Sequence, residues 1–433
     1  MHGMHLLLRM LEHAGRRRSR SAVTVDATFR HPAFLGETIE IDANAEGLVA
    51  RAGADLTLVQ VAIAPADAAE SALEDSPAAR NRATKIPPRP VVRTAGDIDG
   101  AHGVLVLPPP RPLARAFPAV ARTLGPDAPA ALAAISALVG MECPGRDSLL
   151  SAVRLRLTPG ATVRELAWRV ARVDRRFGLV RLAVSGAGIG GTVDAFLRPR
   201  PAPPPTMADA AARVDAREFT GQRALIVGGS RGLGAATALL IAAGGGAPVV
   251  TYASGAADAK ALRRDIRSGG RAVDTLRLDV NAADAPARVA RAVVRHRITH
   301  VYYFASPRIF VRRRAPFDET VFDRFAAVYV RAFARLCAAA CRAGRRIDVF
   351  YPSTVAVANA PAELTEYAAA KAAGETVCAA LEPACDGLHV LVSRLPRVAT
   401  DQTASIVPAS AAAPIDVMLP IARDMQRRSE HAR

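Results

Sequence analysis

Tyr367 and Lys371 stand four residues apart in the stretch Glu366-Tyr-Ala-Ala-Ala-Lys371. In an alanine-rich helix, positions i and i+4 share a face, so a phenol and an ammonium there point into one cleft. A free tyrosine has a pKa of about 10, too high for efficient proton exchange near neutral pH. A neighbouring ammonium stabilises the phenolate and lowers that value. A phenol tuned in this way can deliver a proton to a carbonyl oxygen as its carbon is reduced. The competing reading is that both side chains merely decorate a helix surface.

A second chemical element lies upstream. Residues 223–234 read RALIVGGSRGLG. A β-compatible run (Ala224–Val227) enters a glycine-rich turn, and helix-forming residues 235–243 follow. Backbone without side chains can approach a pyrophosphate closely, and the helix N-terminus offers free N–H groups and the positive end of its dipole. The spacing Gly228-x3-Gly232-x-Gly234 differs from the ordinary G-x-G-x-x-G fingerprint, and its position between strand and helix strengthens it.

These residues need a scaffold, and the pattern around them supplies one. Strands are predicted at 224–227, 248–253, 272–280, 299–306, 346–357 and 389–398, with helices between them at 256–268, around 318–343 and at 363–382. Strands alternating with helices imply an α/β Rossmann-type, doubly wound parallel sheet with ligands at the carboxyl ends of its strands. Gly228–Gly234, Asp279, Ser353 and Pro396 all fall at or just past such ends.

GGSRGLG, the Leu278-Asp279-Val280 after the third strand, Ser353 and Tyr367-x3-Lys371 occur together in the order and at about the spacings of the short-chain dehydrogenase/reductase family, which residues 219–433 resemble. The resemblance implies Ser353, Tyr367 and Lys371 as the catalytic set. Ser353 would orient the carbonyl oxygen, and Lys371 would also bind the nicotinamide ribose. Gly228, Ser230, Arg231, Gly232, Leu233, Gly234, Asp279 and Val280 would hold the cofactor. An acid at the end of the second strand would favour NAD. Thr251-Tyr252-Ala253-Ser254 has none, and Arg231 stands in the loop where NADP-preferring members carry a basic residue, so NADPH is expected over NADH. The competing reading of Arg231 is one more arginine in an arginine-rich chain. Val227, Phe304-Ala305-Ser306-Pro307, Tyr329 and Pro396-Arg397 depart from the family pattern and mark an atypical branch. The family's seventh strand is not evident.

The front half differs in character. Two stretches resemble linkers, 66–90 and the Pro-rich 198–206. A helix at 1–14 is followed by alternating segments through Val23–Phe29, Ile39–Ile41 and Leu56–Ile63. The pattern recurs about 137 positions later: a helix at 130–139, then Val153–Leu157, Trp168–Val170, Phe177–Leu179, Val180–Val184 and Val193–Leu197. Helix plus antiparallel meander, twice, is an α+β arrangement. His2-Gly3-Met4, the stretch FRHPAFLGETIEI and Gly140-Met141-Glu-Cys-Pro-Gly145 resemble the MaoC-like hot-dog hydratase/dehydratase family in its double form. The expected organisation is a partial hot-dog-like domain at 1–75, a second at 76–198, a linker at 199–218 and the reductase-like domain at 219–433. In that family an Asp and a His in a Gly-Asp-x4-His segment precede the HGM helix. Here the chain starts at HGM, so the first copy is either truncated or begins upstream. Gly96-Asp97 with His102 has the family's spacing but lies nearly forty residues before the next helix, so an acidic turn before a strand competes with a catalytic role. His2 and His31 are expected to be structural.

Composition narrows the partners. The chain has 433 residues, 50% of them apolar, and a formal charge of +17. Nearly all its cations are arginine. No helix-turn-helix, zinc-finger or RNA-stacking pattern accompanies them, so specific nucleic-acid binding is not expected, whereas acyl-CoA or an acidic acyl carrier protein suits the charge. Five cysteines without paired spacing suggest reduced thiols and a cytoplasmic protein, and no metal site is expected. Arg9 interrupts what would be a signal peptide's apolar segment, and no stretch reaches the ~18 apolar residues of a membrane span. The resemblance further implies a homo-oligomer. The expected activity is reduction of a 3-ketoacyl thioester. The alternatives are a bifunctional reductase/enoyl-thioester hydratase and a non-catalytic cofactor- or thioester-binding scaffold.

Overall fold

The computed structural model describes residues 3–15, 22–34, 36–44, 47–53, 56–66, 83–160, 164–198, 203–310, 317–343, 346–359, 361–403 and 410–430. His2, Arg16–Arg18, Arg312–Arg314, most of the stretch 66–90 and residues 199–202 of the Pro-rich stretch lie outside them. The chain divides into two compact units, with the boundary between Arg200 and Pro201.

The first unit is built on nine antiparallel strands: β1 (Val23–Phe29), β2 (Glu40–Asn44), β3 (Gly47–Ala52), β4 (Leu56–Pro65), β5 (His102–Val106), β6 (Ser148–Leu157), β7 (Glu165–Asp174), β8 (Leu179–Gly186) and β9 (Ile189–Leu197). Their order is β2-β3-β4-β1-β6-β9-β8-β7-β5. Both expected copies therefore contribute to one sheet, joined where β1 pairs with β6 (Val25 opposite Leu155). Alternation decides which face is buried. In β9, Ile189, Gly191, Val193 and Ala195 face inward and their neighbours outward. The inward face shares one apolar core with the helices Gly3–Ala14 and Ala128–Ala137, through Met4, Leu7 and Met10 of the first and Leu132 and Ile135 of the second. Phe177, expected in a strand, is instead exposed in the turn between β7 and β8. There Asp174 Oδ1 accepts from Arg176 N at 3.0 Å and turns the chain.

The second unit is a six-stranded parallel sheet: β10 (Arg223–Val227), β11 (Ala247–Tyr252), β12 (Asp274–Arg277), β13 (His300–Tyr303), β14 (Ile347–Thr354) and β15 (Leu388–Leu395). The order is β12-β11-β10-β13-β14-β15. The order reverses between β10 and β13, so the crevice beyond their carboxyl ends is the place for a ligand. One apolar core lies on each face of the sheet. The helix Gly232–Ala243 follows β10 and is almost wholly buried, which an apolar sequence of that kind requires. The helix Thr365–Ala384 packs against β14 and β15 and carries Tyr367 and Lys371. After β15 the described chain ends on the helix Pro414–Glu430, which packs on Gly232–Ala243.

Among the described residues no single helix is long and apolar enough to cross a membrane.

Candidate active site

A cavity of about 650 Å³ opens at the carboxyl ends of the second unit's strands. It brings together Gly228, Ser230, Arg231, Gly232, Leu233, Gly234, Asp279, Val280, Ser353, Tyr367 and Lys371. All the residues singled out from the sequence for this unit thus line one cleft.

The glycine-rich turn is shaped for close approach. Gly228 has φ +76°, and a Cβ there would meet Ala305 N at 2.8 Å, so the turn after β10 tolerates only glycine. A Cβ on Gly234 would lie 2.6 Å from Gly228 O, so that glycine lets the helix start close under the loop. The hydroxyl of Thr251, at the end of β11, accepts from Gly228 N at 3.1 Å and braces the turn from below. Arg231 caps the helix but is already engaged: its Nη1 lies 2.8 Å from Asp401 Oδ2 and its Nε 3.4 Å from Asp258 Oδ2. Asp279 sits just past β12, its Oδ1 accepting from Asn281 N at 3.0 Å.

Around the helix pair the structure is dense. Lys371 is buried, and its Nζ donates to Pro352 O at 2.5 Å. The ammonium also lies 4.0 Å from the ring centre of Tyr329 and 4.8 Å from that of Tyr351, a cation–π cage. Tyr329 lies in a π-turn (Ala327–Ala332) between two helices, the position where the family pattern leads one to expect asparagine. Its carbonyl accepts from Tyr351 OH at 3.2 Å, and its hydroxyl pairs with Ser306 Oγ at 2.6 Å. Tyr351 OH fills the space over Gly374, where a Cβ would come within 1.9 Å.

Two expectations change. The first concerns the hydroxyl that accompanies the tyrosine. Ser353 lines the cleft, but its Oγ donates to Glu375 Oε1. Glu375 is held in turn by Arg394, Nε to Oε1 at 2.9 Å and Nη2 to Oε2 at 2.7 Å. Tyr351 and Ser353, two residues apart, share the face of β14 that the helix covers, and both are taken up there, by Gly374 and Glu375. Thr354, the last residue of the strand, lines the same cleft as Tyr367; its hydroxyl acts to lower that phenol's pKa and accepts from Ala356 N at 3.2 Å. Thr354 was not among the residues expected in the site. Two adjacent hydroxyls end the strand, and the sequence offers one clue to the choice: Glu375, four residues after Lys371 on the same helix face, is a ready partner for one of them.

The second change is electrostatic. Tyr367 was expected to be lowered by Lys371. Burial instead pushes its phenol up to about 12, with only the Thr354 hydroxyl acting the other way. Burial also pushes the Lys371 ammonium down to about 7, against the pull of Cys378 and Glu375. A lysine driven toward neutrality has little charge with which to stabilise a phenolate.

Asp97 and His102 lie in the first unit and form no comparable constellation. Asp97 closes a capping box with Thr94 at the start of the short helix Ala95–Ile98, its Oδ2 accepting from Thr94 N at 2.8 Å. His102 is exposed on β5, the last strand of the sheet, with Nδ1 3.1 Å from Gly100 O. This is the acidic turn before a strand. His31 is likewise exposed, its Nδ1 2.9 Å from Thr57 O.

No curated protein sequence matches the chain. Among solved structures, the chain is similar to a short chain dehydrogenase from Burkholderia cenocepacia J2315 in complex with NADP, at 25% identity and a TM-score of 0.42, over 48% of this chain and 91% of that one. It is also similar to a 3-oxoacyl (acyl-carrier-protein) reductase from Agrobacterium tumefaciens C58 with NADP bound, at 20% identity and a TM-score of 0.43, over 48% and 88%. A third is the reductase LugOII, at 20% identity and a TM-score of 0.42, over 49% and 93%. Residues 222–410 match the family model described as short chain dehydrogenase. The C-terminal unit, through residues 222–410, belongs to the short chain dehydrogenase family of NAD(P)-dependent oxidoreductases.

Proposed function

We propose that the chain is an NADPH-dependent ketoreductase that converts a 3-ketoacyl thioester to the 3-hydroxyacyl thioester. The observation that carries this reading is that Tyr367, Thr354 and the buried Lys371 line one cleft with the glycine cradle. Gly228 and Gly234 leave backbone where a Cβ would collide, which fits a pyrophosphate. The bound nicotinamide supplies hydride. Tyr367 donates its proton to the substrate oxygen, Thr354 hydrogen-bonds that oxygen and fixes its direction, and Lys371 stands ready for the ribose hydroxyls. Apolar walls at Phe304, Ile309 and Leu364 keep water from the reacting carbon. The preference for NADPH rests on the lack of an acid at residues 251–254 and on Arg231 in the loop.

The first unit supports the thioester part. One antiparallel sheet carrying two long helices, with both copies joined at β1 and β6, fits a double hot-dog fold. Hot-dog hydratases act on the position that a ketoreductase creates, and fusion raises the effective concentration of the shared acyl group. The capping role of Asp97 and the exposure of His102 favour a thioester-binding unit over a second, hydratase active site.

The test is NADPH oxidation with acetoacetyl-CoA and longer ketoacyl thioesters, for wild type and Tyr367→Phe. Turnover that the substitution abolishes is expected. No turnover across the panel overturns the reading, and crotonyl-CoA hydration that depends on Asp97 or His102 would restore the bifunctional one.

A further inference from the structure

The phosphate loop carries its own competitor for an anion. Asp401 belongs to the segment that follows β15 and returns over the cleft. Thr400 Cγ2 lies 3.4 Å from where a Cβ on Gly232 would stand, so this segment rests on the glycine loop. On the opposite wall, Gln402 Oε1 accepts from Ile309 N at 3.3 Å. Inside the segment, Thr400 N donates to Thr403 Oγ1 at 3.0 Å and Arg397 Nη2 to Thr403 O at 2.6 Å. The result is a short strap over residues 397–403, with its own internal turn, its base bridged to Ala412 (Ala399 N to Ala412 O at 2.9 Å, Ala412 N to Arg397 O at 3.0 Å) and its tip fastened at one side by Asp401 to Arg231 and at the other by Gln402 to Ile309.

The charges around Arg231 do not match a site awaiting a free anion. One guanidinium faces two carboxylates, Asp401 at 2.8 Å and Asp258 at 3.4 Å, which leaves the cluster negative. All three side chains are about half exposed (58%, 46% and 47%). A pair of this kind is held weakly and exchanges readily for a better anion. A phosphate monoester is one, because it offers more charge and more acceptor oxygens to the same fork.

We propose that Asp401 occupies Arg231 in place of the cofactor's 2′-phosphate, and that binding of this phosphate displaces Asp401 and unfastens the strap from the glycine loop. The inference rests on the NADPH reading above. It makes Asp401 a specificity residue: it lowers affinity for the phosphorylated cofactor by direct competition and leaves the unphosphorylated one nearly untouched. It also links occupation of the adenosine end to the opening of the strap's tip, residues 400–403, which Gln402 also fastens to Ile309 on the far wall while the base stays bridged to Ala412.

The test uses the full-length protein and two probes that lack nicotinamide, adenosine 2′,5′-bisphosphate and 5′-AMP. Calorimetric titration of wild type, Asp401→Asn and Arg231→Ala gives affinities, and hydrogen exchange of 397–403 reports the strap. Asp401→Asn is expected to bind the bisphosphate about two- to fivefold more tightly, the range set by loss of one exposed ion pair, with 5′-AMP unchanged. The bisphosphate should speed exchange in the strap of wild type, and Asp401→Asn should show fast exchange without it. Equal or weaker bisphosphate binding by Asp401→Asn, or strap exchange indifferent to the ligand, overturns the latch. If wild type binds the bisphosphate no better than 5′-AMP, or Arg231→Ala discriminates as wild type does, the NADPH reading itself fails. If Arg231→Ala loses discrimination while Asp401→Asn matches wild type, only the latch fails.

Discussion

Thr354 and Ser353 are neighbours with the same functional group and different partners, and the proposal gives them different work. Substituting each separately tests that division. Thr354→Val keeps the shape of the side chain and removes the hydroxyl that acts on the Tyr367 phenol. If this hydroxyl also holds the substrate oxygen as negative charge grows on it, its loss has the cost of one oxyanion donor, about 2.7–4 kcal/mol or 10²–10³ in kcat. Ser353→Ala removes a donor to Glu375, but Arg394 continues to hold both carboxylate oxygens. The loss there is one hydrogen bond, about 1 kcal/mol of stability, with kcat reduced by no more than about tenfold. Single-turnover reduction of acetoacetyl-CoA, followed by nicotinamide absorbance at saturating cofactor, isolates the step. Denaturation midpoints taken alongside separate folding from chemistry. The reasoning is refuted if Ser353→Ala loses more rate than Thr354→Val, or if the valine variant retains more than a tenth of the wild-type rate.

Other perturbations reach other parts of the same site. Burial brings Lys371 from its ordinary 10.5 to about 7. Between those values the unfolded chain holds a proton that the folded chain has released, so stability rises with pH there, by at most about 1.4 kcal/mol per unit, and below 7 the penalty is present in full. Lys371→Met should flatten that slope in urea denaturation, and a wild-type slope no steeper than the variant's counts against the assignment. Gly374→Ala puts a methyl group where Tyr351 OH lies 1.9 Å away; overpacking should cost about 1–3 kcal/mol in thermal denaturation despite the better helix propensity of alanine. A neutral or stabilising result would show that Tyr351 does not fill that space. Tyr329→Phe removes the partner of Ser306 Oγ but keeps the ring above Lys371. It should leave kcat within about threefold, since the cage is retained, and a loss as large as that of Tyr367→Phe would make Tyr329 the acid.

The sheet, the loop and the helix pair were legible because each is a local pattern with one structural solution. An apolar run into GGSRGLG and on into Ala235–Ala243 is strand, turn and helix, and the six strands alternate with helices as the parallel order requires. Tyr367 and Lys371 share a face by helical period alone. The side-chain partners were not legible, because they depend on contacts distant in sequence. Arg231 meets Asp401 across 170 residues, and Ser353 meets Glu375 across 22. The Tyr351–Tyr329 bond exists because Gly374 leaves room for a hydroxyl, a fact that neither tyrosine announces. In the first unit the alternation gave the strands, but the joining of residues 23–65 and 148–197 into one sheet depends on the β1–β6 pairing, which no residue in either strand marks.

The electrostatics of the helix pair bear on the direction of the reaction. Reduction consumes a proton at the substrate oxygen, so under the proposed role for Tyr367 it needs the phenol protonated, and oxidation of the alcohol needs it ionised. With the phenol pushed up to about 12 and Lys371 down to about 7, the tyrosine is protonated throughout the neutral range and its neighbour is only partly charged. Both shifts have burial as their largest cause and both favour the donor. A less buried pair would ionise more easily and serve both directions. The reductive rate should therefore stay nearly level from neutral to moderately alkaline pH. Oxidation of a 3-hydroxyacyl thioester should climb about tenfold per pH unit over the same range, as the phenolate fraction does below its pKa. Parallel initial rates in the two directions measure the contrast. An oxidative rate that levels off near neutral pH would mean that Tyr367 ionises there and that Lys371 stabilises its phenolate after all.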